Sequence, residues 1–286
     1  MDFSGHTALT VTEVKDHLNG LYKLDCCHDH ADHEFKLSGG IETALAKMVQ
    51  QIWKDKGMPP TINKAVAKAF FEQLWSGVTE GYGKTDVAID YETPDGRMLV
   101  NLQNNVYQFS AAKNYQQLKA LTAALVGDDG KVRSYSQFKK AAFGINDTHV
   151  NQWLKVEYNT SIASAQMASK WVDIQENIAT LPMLEYDAVM DNNTSDLCRG
   201  FDGILRPVND DFWNQFYPPN HFGCRSSVRQ RTGGKPTNLN NLAIPEGIPE
   251  MFKVNLGKQG LVFPKGHTYF IGTPQEVLDS LIDDNG

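Results

Sequence analysis

Residues 186–230 open Tyr186-Asp187-Ala188-Val189-Met190-Asp191-Asn192-Asn193-Thr194-Ser195-Asp196-Leu197-Cys198-Arg199-Gly200-Phe201-Asp202-Gly203 and pass through Asp210-Asp211-Phe212-Trp213. They close on Tyr217-Pro218-Pro219-Asn220-His221-Phe222-Gly223-Cys224-Arg225-Ser226, ending at Gln230. The stretch is dense in Gly, Pro, Asn and Asp, the residues that make turns, so it predicts short extended pieces joined by loops. Everything upstream of Pro182 has a different texture, with apolar residues recurring at helical spacing. The fold class that follows is α+β, with a mainly helical N-terminal part followed by a compact, loop-rich α+β domain. The expected division is a poorly defined segment 1–40, a helical domain 41–183 and a core domain 184–286.

Working back from Pro182, the longest helical run spans Asp147 to Leu181, preceded by Tyr135 to Phe143 and Ser110 to Val126. Asp86 to Tyr107 turns toward alternation, and Pro94-Asp95-Gly96 supplies turn chemistry, which predicts a hairpin there. Further back, Thr61 is placed to cap a helix with Val66, Ala69, Phe70 and Leu74 on its buried stripe and Gly81 at its end. Ile41, Leu45, Met48, Val49 and Ile52 predict another, stopping near Gly57 before Pro59-Pro60. Val11 to Leu24 can hold a short helix.

Downstream, Leu184 to Met190 reads as extended. Phe252 to Phe263 reads as a hairpin turning at Gly257 to Gly260, and Thr273-Pro274-Gln275-Glu276 as a capping box with Pro at the first helical position.

The 286 residues carry a formal net charge of −7, with 41% hydrophobic and 21% charged residues, the composition of a globular chain able to bury a substantial core. No apolar run reaches the roughly 18–20 residues of a membrane span. The start, Met1-Asp2-Phe3-Ser4-Gly5-His6, lacks the basic and apolar regions of a secretory signal. An acidic chain gives no general electrostatic case for gripping DNA, so any such contact is expected to be local. The four cysteines, Cys26, Cys27, Cys198 and Cys224, do not form the pattern of a secreted disulfide framework.

Cys198, His221 and Cys224 offer two soft sulfurs and an imidazole, a set suited to zinc. A closed structural zinc site has four ligands, and Asp191, Asp196 and His267 are the candidates for the fourth. The alternative is that both cysteines are small buried residues and His221 bonds a loop carbonyl. A metal here would clamp a unit poor in regular backbone pairing. A catalytic metal would instead need an open position and a base, for which Asp196 or Asp211 could serve. Trp213, with Phe201, Phe212, Phe216, Tyr217 and Phe222, is expected to form a satellite core under the loops rather than an interface anchor. Arg225, Arg229, Arg231 and Lys235 form the tight positive cluster of the chain, a solvated face or a contact for DNA phosphate or an acidic partner. Cys26-Cys27-His28-Asp29-His30-Ala31-Asp32-His33 is rich in ligand types but lacks zinc-finger spacing, and reads as an exposed polar loop.

As a set, Tyr186-Asp187-Ala188, Asp191 to Thr194, the turn from Cys198 to Asp202-Gly203, Asp211-Phe212-Trp213 and Tyr217-Pro218-Pro219-Asn220 through Gly223-Cys224-Arg225-Ser226 resemble the core of the phage Mu F-like minor head proteins, also called head morphogenesis proteins. Trp153 to Thr160, Ala165-Gln166 and Trp171 resemble the helix before that core, and Phe252 to Gly257, Val262-Phe263-Pro264 and His267 to Phe270 its closing segment. The resemblance covers roughly residues 97 to 271. Members often end the motif Cys-Arg-Cys where this chain has Ser226, which removes a potential fourth sulfur. The resemblance implies a non-enzymatic minor protein of the virion head, made in the host cytoplasm and present near the portal vertex. Its implied partners are portal protein, capsid or scaffold proteins and packaged double-stranded DNA, with no membrane. The competing readings are a metal-dependent hydrolase or nuclease built on Cys198, His221 and Cys224, and a phage-borne toxin or effector, for which only residues 1–90 have room.

Overall fold

Helical periodicity carries through the first two-thirds of the chain in a computed structural model that describes residues 9–22, 41–84, 91–241 and 245–282. The helices there are α1 (Val11–Tyr22), α2 (Ile41–Asp55), α3 (Lys64–Tyr82), α4 (Pro94–Ala123), α5 (Tyr135–Asp147) and α6 (Leu154–Asn177). A π-helical turn, Thr148–Trp153, joins the last two. The single run expected from Asp147 to Leu181 is thus interrupted at its start and ends at Asn177, five residues before the helix-breaking Pro182.

Two boundaries correct the sequence reading. The hairpin expected across Asp86 to Tyr107 does not form: residues 85–90 lie outside the described residues, and from Pro94 onward the chain is helical. Pro94 occupies the first turn, where a missing N–H costs nothing, and the Thr93 side chain accepts the Gly96 N–H at 3.0 Å. Pro-Asp-Gly is therefore a helix start, not a turn. At α3 the cap is Asn63 rather than Thr61, its side chain accepting the Val66 N–H at 3.1 Å, and the helix runs one residue past Gly81 before Gly83 ends it.

Helix α4 is the axis of the fold and touches α1, α2, α3, α5 and α6. Burial extends around its circumference and takes in Asn105, Lys113, Asn114, Gln116 and Gln117 as well as its apolar residues. A helix enclosed on all sides has no polar face, which is why its periodicity is weak in the sequence. Helices α3 and α6 pack almost backbone to backbone. A Cβ added at Gly81 would stand 2.1 Å from the Ile162 carbonyl oxygen, and one at Gly77 would stand 2.2 Å from Ser161 Oγ. Only hydrogen at those positions permits the approach.

After Pro182 come β1 (Met183–Asp187), α7 (Asp196–Phe201), β2 (Leu205–Pro207), α8 (Phe212–Phe216) and β3 (Ser227–Arg231). The strands form one antiparallel sheet in the order β2-β1-β3, with Met183 opposite both Pro207 and Arg231. Alternation along β1 turns Leu184 and Tyr186 into the core, leaving Glu185 and Asp187 toward the rim. The α+β class expected from the sequence is the class observed.

The closing segment holds α9 (Leu256–Gln259) and α10 (Gln275–Asp279). The hairpin expected from Phe252 to Phe263 is instead a 3-10 turn, Glu250–Phe252, followed by α9. Asn255 caps α9 by accepting the Lys258 N–H at 2.8 Å. Pro274 lies at the cap of α10 rather than at its first helical position, and no side chain caps it; the Thr273 hydroxyl accepts from the Gln116 amide at 3.2 Å and donates to the Tyr269 carbonyl at 2.7 Å. Helix α4 grips this segment through polar side chains. Asn105 Oδ1 accepts the N–H groups of Val262 (2.9 Å) and Phe263 (2.8 Å), and its amide donates to the Phe263 carbonyl at 3.2 Å. Gln116 donates to the Tyr269 and Ile271 carbonyls at 3.3 and 3.2 Å. One continuous apolar core runs from Val14 to Leu281 through both the helical part and the sheet.

At its centre lies a buried polar cluster. Lys113 Nζ donates to both Glu157 oxygens, at 2.9 and 2.7 Å, with both side chains wholly removed from solvent. The Tyr22 hydroxyl donates to Glu157 Oε1 at 2.9 Å and lies 3.1 Å from His267 Nε2. His267 Nδ1 accepts the Tyr269 N–H at 3.1 Å, so the neutral ring keeps its proton on Nε2, facing Tyr22. Burial, with Lys113 and His17 adding to it, holds His267 well below the usual histidine range. Burial and Lys113 do the same to His149.

Candidate metal centre

The sequence places Cys198 and Cys224 far apart, and two local devices bring them together. Ser195 caps α7 by accepting the Cys198 N–H at 3.2 Å, which fixes Cys198 in the first turn of that helix. Gly223 adopts φ +70°, a left-handed conformation that bends the loop before β3 so that Cys224 returns toward His221, its N–H donating to the His221 carbonyl at 3.3 Å.

Cys198 Sγ then lies 3.8 Å from Cys224 Sγ and 3.1 Å from His221 Nε2, and the three ligand atoms all fall within 4.8 Å of one another. All three residues are buried, at 2–3% exposure. This is the group of metal-compatible side chains found among the described residues. The separation of the sulfurs fits a thiophilic ion, since metal–sulfur bonds of about 2.3 Å place two tetrahedral sulfurs about 3.8 Å apart, whereas the 3.1 Å from Cys198 Sγ to His221 Nε2 is a direct hydrogen-bond distance that would open to about 3.6 Å around an ion.

The surroundings prepare the ligand atoms. His221 Nδ1 lies 2.7 Å from the Phe222 carbonyl oxygen, which can only accept, so the ring carries its proton on Nδ1 and presents the Nε2 lone pair to the sulfurs. The hydrogen bond from Cys198, the nearby His221 and the Asn220 backbone N–H together outweigh burial and push the Cys224 thiol well below its usual range. Tyr186 moves the opposite way, raised by burial and then by the two cysteines, and its hydroxyl accepts from the Asn220 amide at 2.9 Å.

The three fourth-ligand candidates are elsewhere. Asp191 is taken by Arg225, whose guanidinium meets both carboxylate oxygens at 2.6 and 2.7 Å and holds the carboxyl well below the usual carboxylate range. Asp196 is exposed on the first turn of α7. His267 sits in the buried cluster beside Tyr22. Ser195, which sequence reasoning did not single out, has its hydroxyl 3.5 Å from His221 Nε2. Its signal was legible as a cap residue three positions before Cys198. Asp211, the other proposed base, is exposed at the start of α8 and accepts from Asn214 at 3.0 Å.

The positive cluster is paired. Arg229 and Arg231 reach diagonally across β3 to Asp187 and Glu185 of β1, each at 2.6 Å, and Arg225 continues the series with Asp191. Lys235 is exposed beyond the strand. Trp213 is 1% exposed and packs edge-on against Phe212, a core position. The Asp202 side chain accepts the Ala188 N–H at 2.9 Å, and the Gly203 N–H donates to the Tyr186 carbonyl at 2.9 Å, closing the chain back onto β1. Pro218 and Pro219, joined by a cis peptide, lie in the loop before His221, anchored by the Tyr217 hydroxyl donating to the Met167 carbonyl at 3.0 Å. The run Cys26 to His33 lies outside the described residues. No helix among the described residues is long and apolar enough to cross a membrane.

A unit of this kind, helices α3 to α6 feeding a small sheet and a Cys-His-Cys loop cluster, coincides with a known family: residues 72–229, just over half of the chain, match the phage Mu protein F like proteins. The chain belongs to the phage Mu protein F like family. Among curated relatives, it is 28% identical over 82 residues to the "Putative capsid assembly protein F" of Escherichia phage Mu, covering 29% of this chain and 19% of that protein. It is 31% identical over 75 residues to the "Mu-like prophage FluMu F protein" of Haemophilus influenzae, covering 26% of this chain and 18% of the relative. The matched stretch thus spans less than a fifth of the length of either curated relative. No solved structure matches the chain.

Proposed function

We propose that the chain is a minor structural protein of a bacteriophage head that acts in head morphogenesis near the portal vertex, without catalysis. The observation that carries this reading is the family match over residues 72–229, together with a relative named for capsid assembly. Its partners in this reading are portal protein and capsid or scaffold proteins, and its place is the virion head, reached from the host cytoplasm during assembly. Residues 41–183 serve as the helical frame and residues 184–286 as the unit that presents the loops. Packaged double-stranded DNA is a further partner of the reading, through Lys235 and the edge of β3. The three arginines there already face carboxylates, which favours an exposed, charge-balanced protein contact over phosphate neutralisation. Zinc is the proposed cofactor at Cys198, His221 and Cys224, in a structural role that ties α7 to the start of β3.

The experiment is quantitative mass spectrometry on purified particles and on the assembly intermediates that precede packaging. The chain is expected in both, at a few copies per particle and enriched with portal protein. Its absence from both refutes the proposal.

A further inference from the structure

The zinc site proposed above has three protein ligands in place and one position unassigned. We infer that the fourth position faces the Ser195 hydroxyl, so that Ser195, Cys198, His221 and Cys224 together bind one thiophilic divalent cation of the zinc class. This rests on the metal reading of the loop cluster and extends it to the ligand set.

Four observations converge on Ser195. Its Oγ lies 3.5 Å from His221 Nε2, close to the separation of two light-atom ligands on a tetrahedron with metal bonds of about 2.1 Å. The residue is anchored by its own role as the cap of α7, since Oγ accepts the Cys198 N–H and is therefore held at the first turn that carries Cys198. The alternative carboxylate, Asp191, is held by Arg225 at 2.6 Å. The remaining ring nitrogen of His221 is spent on the Phe222 carbonyl, so the imidazole can offer the cluster only Nε2.

A cation there neutralises two sulfurs packed 3.8 Å apart in a buried loop region, where two uncompensated thiolates would repel. Each ligand comes from a loop or from the first turn of a short helix, so the ion would link residues 195–198 to residues 221–224 across a region with few backbone ladders. A neutral hydroxyl is a weak fourth ligand, and the site would exchange metal more readily than one with four strong donors. Replacing that hydroxyl with a thiol should convert it into a tight site.

The test uses the full chain, purified reduced, with zinc content measured and cobalt(II) titrated as a spectroscopic probe. One metal per chain and a thiolate-to-cobalt charge-transfer band are expected, with a zinc-dependent rise in Tm reversed by chelator. Ser195→Ala is expected to weaken metal binding about 10- to 100-fold while the fold is retained, and Ser195→Cys to tighten it. Ser226→Cys is the control and should leave affinity unchanged. Failure of the wild-type chain to bind either ion overturns the metal site. Binding that ignores Ser195→Ala and tightens with Ser226→Cys overturns the assignment of the fourth position. Incorporation of the same wild-type chain into particles is scored separately, so a metal-free chain that still enters heads sinks this inference and leaves the head-protein reading standing.

Discussion

Replacing Glu157 with Gln is the sharpest test of how the core is held. The carboxylate is fully buried, accepts both contacts from Lys113 and also accepts the Tyr22 hydroxyl. Gln keeps the volume and one acceptor but removes the charge, leaving Lys113 beside neutral partners in a place where burial already lowers its pKa against the opposing pull of Glu157. Breaking one side of a buried ion pair costs about 3–5 kcal/mol, whereas replacing both partners with apolar groups of similar size is often close to neutral. Glu157→Gln and Lys113→Met are therefore each expected to cost about 3 kcal/mol. The double variant Lys113→Met/Glu157→Leu is expected to cost less than the sum of the singles by about 2 kcal/mol. Urea unfolding followed by circular dichroism reads this directly, since a slope of about 3 kcal/mol/M turns each single loss into a midpoint shift of about 1 M. Additive costs, or single variants within about 0.5 kcal/mol of the parent, would refute a central role for the pair.

Other outcomes follow from the same packing. Gly81→Ala forces a methyl against the Ile162 carbonyl, which cannot rotate away, and should destabilise by roughly 1–3 kcal/mol or more, seen as a lower Tm. Asn105→Ala strips the partners from the Val262 and Phe263 amides; a loss of about 3 kcal/mol is expected, with faster hydrogen exchange at those two amides, and unchanged exchange would count against it. His149 and His267 are buried and held well below the usual range, so the unfolded chain takes up protons that the folded one refuses. Stability is thus full above about pH 6.5 and falls as pH drops below it, by up to about 1.4 kcal/mol per pH unit for each ring. Carboxylates held low, such as Glu185, add their own losses only nearer pH 4. Chemical denaturation between pH 7 and pH 5 should show the decline, and a flat profile would contradict it.

The sequence carried the outline of this molecule unevenly, for identifiable reasons. Ile41 to Ile52 and Val66 to Leu74 line one face of helices that border solvent, so their spacing is visible. Helix α4 is buried all round, and its Lys113, Asn114, Gln116 and Gln117 look like a solvated face until the surrounding elements are known. Pro94-Asp95-Gly96 and Asn255 to Gly260 were ambiguous because the same residues start turns and helices; a capping side chain three residues away decided both. Cys198, His221 and Cys224 were legible through their chemistry, which needs no spatial information to be noticed. Ser195 was legible only as a helix cap, and its nearness to the cluster appears only once the loop places it beside His221. The pairing of Lys113 with Glu157 joins α4 to α6, and no local pattern announces it.

The meeting of Tyr22 with His267, 245 residues apart in sequence, imposes an order on synthesis. As the chain leaves the ribosome, α4 and α6 are complete long before Tyr269 and His267 exist to roof the Lys113–Glu157 pair. Without that roof the two opposite charges and the polar flank of α4 lack the partners that bury them in the finished fold. The closing segment must therefore be present before the molecule reaches its final state, so a chain truncated just before Val262 should fail to fold cooperatively.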